Sequence, residues 1–274
     1  MVGILEKDDR PESEVEEHGL DRHHFLWEIL LAVLVTGGSG KLGREIIRHF
    51  PNSLSPTHGD LDLTIGEDVQ EYIARQKPEM IFHCAALTNV RLCENDHSAA
   101  WATNVMGTIN LLKACEKSAQ ETYFIYVSTA CVFRGDRGNY KEDDIPYPKN
   151  FYALTKLIGE QVTLNSQLEN TLVVRTNFVA KEKWPYPRAF VDRFGTYLFA
   201  DDVARAISMV VEKRTMGVVH IVGDKKMSMY DLARLTSPET GPMSMVDYTG
   251  PPLTIDMSLV STRLESFKIT PTHS

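Results

Sequence analysis

Residues 32–43 read Ala-Val-Leu-Val-Thr-Gly-Gly-Ser-Gly-Lys-Leu-Gly, an apolar run that breaks into Gly37, Gly38, Gly40 and Gly43 before a helical pattern resumes. The order is strand, tight turn, helix. The demand falls on the backbone: so sharp a turn needs residues without a Cβ, and a diphosphate reaches the amides of a helix N-terminus only where side chains are missing. Beyond the turn Leu42, Ile46, Ile47 and Phe50 share one helical face, so the helix can pack on a sheet with its positive end towards the ligand. The glycine spacing is that of a dinucleotide site. A P-loop would need Gly where Val35 stands and Ser or Thr where Leu42 follows Lys41, and the sequence has neither.

Upstream, residues 1–28 hold nine acidic residues against Lys7, Arg10 and Arg22, which places −6 of the net charge of −8 there. With Pro11, Gly19 and a capping-box pair in Ser13 and Glu16, they read as a charged extension ahead of a single domain over residues 29–274. The body is nearly neutral and has no basic stripe, which argues against nucleic-acid binding. The apolar run 25–35 is interrupted by Glu28 and is about half the roughly 20 residues of a membrane span. The N-terminus also lacks the pattern of a secretory signal, so a cytoplasmic protein without a membrane partner is expected. Cys84, Cys93, Cys115 and Cys131 show no Cys-x-x-Cys spacing, and the adjacent His23 and His24 diverge on a helix or a strand. Reduced thiols and no metal site are expected.

Downstream, residues 51–58 are turn-rich and barely a strand, and no acid closes them as one usually closes the second strand of a dinucleotide fold. Asp60 and Asp62 follow slightly later, as candidates for the ribose or adenine edge or as plain turn residues. A helix is expected over 69–75, then a buried strand over 80–86 whose small last residues let a backbone approach a ligand. The helix expected over 99–118 carries Asn104 and Asn110, amides that need partners against a sheet; Asn104 is expected to tie strand ends around the site. A strand over 123–127 opens into Ser128 and Thr129, hydroxyls at the strand end that faces a ligand crevice. The helix from Phe151 carries Tyr152 and Lys156 on one face, with Leu154, Leu157, Ile158 and Val162 expected on an opposite, buried one. Further strands over 171–175 and 218–222 flank a helix over 201–211. The alternation predicts an α/β fold, a doubly wound parallel sheet covered on both faces. Residues 177–199 and 224–270 are expected to add a small C-terminal substrate-binding lobe.

The Gly-rich turn, the small residues at 84–86, Ser128-Thr129 and Tyr152-x-x-x-Lys156, in that order, resemble the extended short-chain dehydrogenase/reductase family over residues 31–264, with its Rossmann-type sheet. Cys84-Ala-Ala-Leu-Thr-Asn-Val90, Asn104-Val-Met-Gly-Thr-Ile-Asn110, Val127-Ser-Thr-Ala-Cys-Val-Phe133, Val191-Asp-Arg-Phe-Gly195 and Leu259-Val-Ser-Thr-Arg-Leu264 are most similar to its dTDP-4-dehydrorhamnose reductase branch. The resemblance implies NADP or NAD as coenzyme, a nucleotide-sugar substrate reduced at a 4-keto group, and, as an option, a homodimer. It puts Thr129, Tyr152 and Lys156 in catalytic positions. It puts Gly37, Gly40, Lys41, Leu42, Gly43, Asp62, Leu63, Ala85, Ala86, Asn104 and Lys156 against the coenzyme. In the implied chemistry the Lys156 ammonium favours the Tyr152 phenolate and holds the nicotinamide ribose, while Thr129 hydrogen-bonds the substrate oxygen. NADP is slightly favoured, because no acid ends the second strand and Lys41 and Arg44 lie near enough in sequence to pair with a 2′-phosphate.

Two departures from the family pattern stand out. Residues 177–191 are shorter than in the rhamnose reductases, and Ala130 and Cys131 replace the acid pair of the related dehydratases. GDP-fucose synthases place a reactive Cys at the Cys131 position, but no His lies between Lys156 and His220 to serve as its partner. The alternatives are a catalytically silent NADP-binding regulatory subunit, of the kind found with methionine adenosyltransferase, and a nucleotide-sugar epimerase.

Overall fold

A computed structural model describes residues 32–270, so the charged extension expected over residues 1–28 lies outside the described residues, as do His23 and His24. Five parallel strands stand in the order β1 (Val33–Thr36), β2 (Met80–His83), β3 (Tyr123–Thr129), β4 (Thr171–Thr176) and β9 (Gly217–Ile221). Every residue of the first four is buried, which is why they read as continuous apolar runs rather than alternating ones. The faces are covered separately. Helices α1 (Lys41–His49) and α7 (Ala200–Glu212) pack over Val35, Phe82, Ile125 and Val174, with Ile46 and Ile207 at the contact. Helices α2 (Gly66–Gln76) and α5 (Gly107–Ser118) pack over Leu34, Ile81, Phe124 and Val173, through Ile73 and Leu111.

The weak second strand is reduced to one rung. Leu54 pairs in parallel with Leu34 through two hydrogen bonds of 2.8 Å, Val35 N to Leu54 O and Leu54 N to Val33 O. This rung lies on the side of β1 away from β2, so the sheet grows in both directions from β1. A crevice opens at such a reversal, outside the carboxyl ends of β1 and β2.

The helix expected over 99–118 is not uniform. After α3 (Val90–Asn95) the chain forms α4 (His97–Trp101), a π turn over Ala102–Met106, and then α5. The π turn presents Asn104 inward, and such turns frequently mark functional sites.

Helix α6 (Phe151–Leu164) corrects the expected burial. Its buried residues include Ala153, Lys156, Gly159, Glu160 and Thr163, whereas Leu154, Leu157, Ile158 and Val162 are only half-buried. The reason is polar partnership and close approach. Glu160 is fully buried because Arg175 donates to it at 2.8–3.1 Å and Ser128 Oγ at 2.5 Å. A Cβ on Gly159 would run into the Tyr126 phenol, so glycine lets the helix settle on β3.

Residues 178–257 add three small sheets beyond the main one. β5 (Phe178–Val179) pairs β8 (Leu198–Phe199), and β6 (Arg188–Phe190) pairs β11 (Gly241–Met243). β7 (Phe194–Gly195) lies between β10 (Met227–Ser228) and β12 (Asp256–Met257). Helix α8 (Met229–Arg234) starts in a capping box of Ser228 and Asp231. No helix among the described residues is long and apolar enough to cross a membrane. All four cysteines are free, and burial pushes the Cys84 and Cys115 thiols up to about 12.

Candidate active site

The first turn closes with Gly40 N donating to Gly37 O at 2.9 Å, and α1 begins with Arg44 N to Gly40 O at 3.1 Å. Gly37 has a φ of +70°, and a Cβ there would lie 2.6 Å from Ala85 N. It is therefore where the loops after β1 and β2 touch. A Cβ on Gly40 would meet only Gly37 O, at 3.1 Å. Gly40 leaves the amide end of α1 uncovered, the arrangement an anion needs.

Two cavities adjoin this turn. The smaller, of about 190 Å³, is lined by Gly37, Ser39, His58, Asp62, Leu63 and Ala85 among others. Asp62 accepts from Thr64 N at 2.9 Å and Thr64 Oγ1 at 2.7 Å, and these bonds hold its carboxyl below the usual range. Asp60 does not line it and instead accepts from Thr57 N and Oγ1, as a turn residue.

The larger cavity, of about 520 Å³, brings together Gly37, Gly40, Lys41, Leu42, Gly43, Ala86, Thr129 and Tyr152. Residues from the ends of β1, β2 and β3 and from the start of α6 thus share one wall. Asn150 caps α6 by accepting from Ala153 N at 2.8 Å, and Glu94 accepts from Phe151 N at 2.6 Å, which fixes the turn bearing Tyr152. Thr129 Oγ1 accepts from Cys131 N at 3.2 Å. Burial pushes the Tyr152 phenol well above its ordinary value, Cys131 adds to that, and the Thr129 hydroxyl pulls it back.

Lys156 stands apart from that wall. It is 4% exposed and does not line the cavity, and its ammonium lies 4.1 Å from the centroid of the Tyr126 ring. Burial lowers its pKa to about 8, against the opposing pull of the Glu160 carboxylate. The tuning expected from Lys156 on the Tyr152 phenol is not what sets that phenol here; burial, Cys131 and Thr129 do.

Asn104 also lies behind the cavity rather than on it. Its Oδ1 accepts from Leu87 N at 2.7 Å, and its Nδ2 donates to Leu87 O at 3.0 Å and Thr155 Oγ1 at 2.9 Å. It ties the loop after β2 to α6. Asn110 Nδ2 donates to Leu63 O at 2.8 Å and fixes one wall of the smaller cavity.

Sequence reasoning assigned no site role to Thr176, Asn177, Arg193, Tyr197, Met229 or Met257, yet all line the larger cavity. Arg193 lies within residues 191–195, and a lone arginine between strands carries no spacing signal. Cys131 also lines it, with Sγ 3.4 Å from Met257 Sδ. His220 is buried away from it, its Nε2 accepting from Arg175 Nη1 at 3.5 Å and its Nδ1 donating to Val260 O at 3.0 Å.

Known proteins resemble this chain in sequence and fold. The family model described as "RmlD substrate binding domain" matches residues 31–194. A dTDP-4-keto-6-deoxy-D-glucose reductase of Streptomyces niveus is 32% identical over 222 residues, covering 74% of this chain and 76% of that protein. The methionine adenosyltransferase 2 subunit beta of Rattus norvegicus is 31% identical over 237 residues, covering 73% and 70%. Among solved structures, a dTDP-4-dehydrorhamnose reductase from Yersinia enterocolitica superposes with a TM-score of 0.77 at 25% identity, over 86% of this chain and 92% of that one. A Bacillus anthracis reductase of the same name, in complex with NADP, gives 0.80 at 22% identity over 89% and 96%, a likeness of fold. The chain belongs to the RmlD substrate-binding-domain family, within the extended short-chain dehydrogenase/reductases.

Proposed function

We propose that the protein reduces the 4-keto group of a 6-deoxy sugar carried on a nucleoside diphosphate, with NADP(H), or else NAD(H), as its coenzyme. One observation carries this reading: the open Gly40 turn and the Thr129 and Tyr152 hydroxyls line a single cavity at the point where the sheet reverses. The activities for which the Streptomyces and Yersinia relatives are named support it. The residues present fit a dinucleotide. Gly37, Gly40 and Gly43 leave room for the diphosphate beside Lys41 and Leu42, and Asp62, Leu63 and Ala85 stand around the smaller cavity for the adenosine end.

When bound, the coenzyme would supply a hydride to the ketone carbon. Charge then develops on the carbonyl oxygen, where Thr129 Oγ1 donates a hydrogen bond and Tyr152 Oη delivers the proton. A phenol raised by burial holds its proton firmly, so it is present as the acid at neutral pH. Lys156, four residues on along α6, contributes a buried positive charge that favours negative charge developing at the Tyr152 end of the cavity.

The test is coenzyme oxidation, followed at 340 nm, against a panel of 4-keto nucleotide sugars. Turnover of at least one is expected. The second reading, a regulatory subunit, is favoured by the methionine adenosyltransferase relatives and by a lysine withdrawn from the cavity. It expects coenzyme binding, no turnover with any sugar, and association with a catalytic partner that Tyr152→Phe leaves unchanged.

A further inference from the structure

The larger cavity holds a cation that the reaction scheme does not use. Arg193, just ahead of β7, lines it, and the guanidinium has poor partners. Its Nε donates to Thr254 O at 2.9 Å, but Nη1 finds only Met229 Sδ at 3.8 Å and Nη2 only Met257 Sδ at 3.2 Å. A thioether is a weak acceptor, so most of the five donors of this group are unsatisfied. Nearby acids are engaged elsewhere. Asp192 accepts from Ser244 Oγ at 2.5 Å and Met245 N at 2.8 Å, while Asp256 is held by Lys226 and Ser258. No carboxylate among the described residues forms an ion pair with Arg193.

A second, independent observation lies on the same cavity. Tyr197 is 3% exposed and lines it, and its Oη is buried with no hydrogen-bond partner. Thr176 Oγ1, at the end of β4 and also on this cavity, is likewise without one. A buried unpaired hydroxyl costs stability, and two at one cavity with an unneutralised guanidinium describe a site whose partners come from a ligand.

We propose that Arg193, with Tyr197 as a second donor, receives the phosphoryl oxygens of the nucleotide-linked substrate, and that Met229 and Met257 are placeholders which the ligand displaces. This rests on the reductase reading in taking the anion to be a sugar-linked diphosphate. A planar fork with uncompensated charge matches a phosphate bidentately and gains far more from charged oxygen than from sulfur. Methionine, unbranched and with three rotatable bonds, is the side chain best able to move its sulfur aside. The position suits a sugar bridging the two ends: Met257 Sδ touches both Arg193 Nη2 and Cys131 Sγ, at 3.2 and 3.4 Å, and Cys131 N bonds the Thr129 hydroxyl. The phosphate grip and the reacting hydroxyl are thus joined on this cavity through Met257 and Cys131.

Calorimetry on NADP-saturated protein, titrated with dTDP, UDP and GDP, tests the assignment. The parent is expected to bind at least one of them. Arg193→Met is expected to weaken that binding about 10- to 100-fold, with Arg193→Lys between the two and NADP affinity the same in all three. Tyr197→Phe should weaken it by about 3- to 10-fold while the unliganded thermal midpoint holds or rises, because the lost hydroxyl had no partner to lose. A parent that binds none of the three nucleotides, or an Arg193→Met that binds them as the parent does, overturns the subsite. So does a variant in which NADP affinity falls instead, since the anion is then the coenzyme's. The reductase reading fails separately: a protein that turns over no 4-keto sugar, yet loses dTDP on Arg193→Met, keeps the subsite and discards the reaction.

Discussion

The Lys156 ammonium lies 4.1 Å from the centroid of the Tyr126 ring, on the buried face of α6 and beneath the wall that Tyr152 lines. The ring's negative face and the Glu160 carboxylate one turn along are what the charge has in place of water. Even so, its pKa falls from 10.5 to about 8, which means folding disfavours the charged form.

The sign follows from proton binding. Below about pH 8 both folded and unfolded chains carry the proton, and the penalty is constant. Between about pH 8 and 10.5 the unfolded chain holds a proton that the folded one has released, so stability rises with pH across that window. Lys156→Met removes the penalty and keeps a flexible side chain over the ring. At pH 7 it is expected to be more stable than the parent by on the order of 1–3 kcal/mol while losing activity. Urea melts at pH 7 and pH 10 check this: the gain should shrink at the higher pH, and a variant less stable than the parent at pH 7 would count against a charged buried lysine.

Tyr152→Phe tests the proton donor. The phenol lines the cavity, and Phe conserves the ring that packs there, so coenzyme affinity is expected to hold. Turnover should fall by roughly 10²-fold or more, with the thermal midpoint little changed. Steady-state kinetics beside a coenzyme titration reads both.

The glycines of the first turn separate by position. Gly40→Val places a side chain on the open side, and should leave the fold intact while coenzyme binding weakens by roughly 10-fold or more. Gly37→Ala meets the Ala85 backbone at a positive φ, so it is expected to lower the thermal midpoint as well. Equal midpoints for the two variants would mean the contact between the loops is not the tight one.

Asn104→Leu leaves the Leu87 amide and carbonyl and the Thr155 hydroxyl without their partner inside the protein. A cost of about 2–3 kcal/mol is expected, because buried groups stripped of a hydrogen bond pay for their desolvation. Since the loop it anchors carries Ala86, KM for the coenzyme should rise in the same variant. Chemical denaturation and kinetics measured on one preparation give both numbers.

How far the sequence could be read depended on the range of the interaction involved. The turn at Gly37–Gly43, the strand ends and the Tyr152–Lys156 spacing are local patterns, and they locate the cavity. The burial of α6 was misjudged because leucine and isoleucine at helical spacing outweigh a glutamate in any apolar count. What reverses the count is Arg175, fifteen residues on and on another strand, pairing with Glu160. The depth of Lys156 was hidden for the same reason, since the Tyr126 ring reaches it from β3. Arg193 and Tyr197 were invisible because their meaning lies in partners they lack, and only a folded chain shows an unfilled hydrogen bond.

The single rung at Leu54 bears on how such a protein changes. The segment 51–64 joins the sheet through two hydrogen bonds, is tied to α5 by Asn110 Nδ2 donating to Leu63 O, and rests on the side chains of Leu61 and Leu63. It carries His58 and Asp62, which line the cavity proposed for the adenosine end of the coenzyme. The exposed residues between Leu54 and Leu61 can be rewritten while Leu54, Leu61 and Leu63 keep their places against the core layer. Coenzyme preference is thereby lodged in an exchangeable part, free to drift between lineages while the β-strands and the reacting hydroxyls stay as they are.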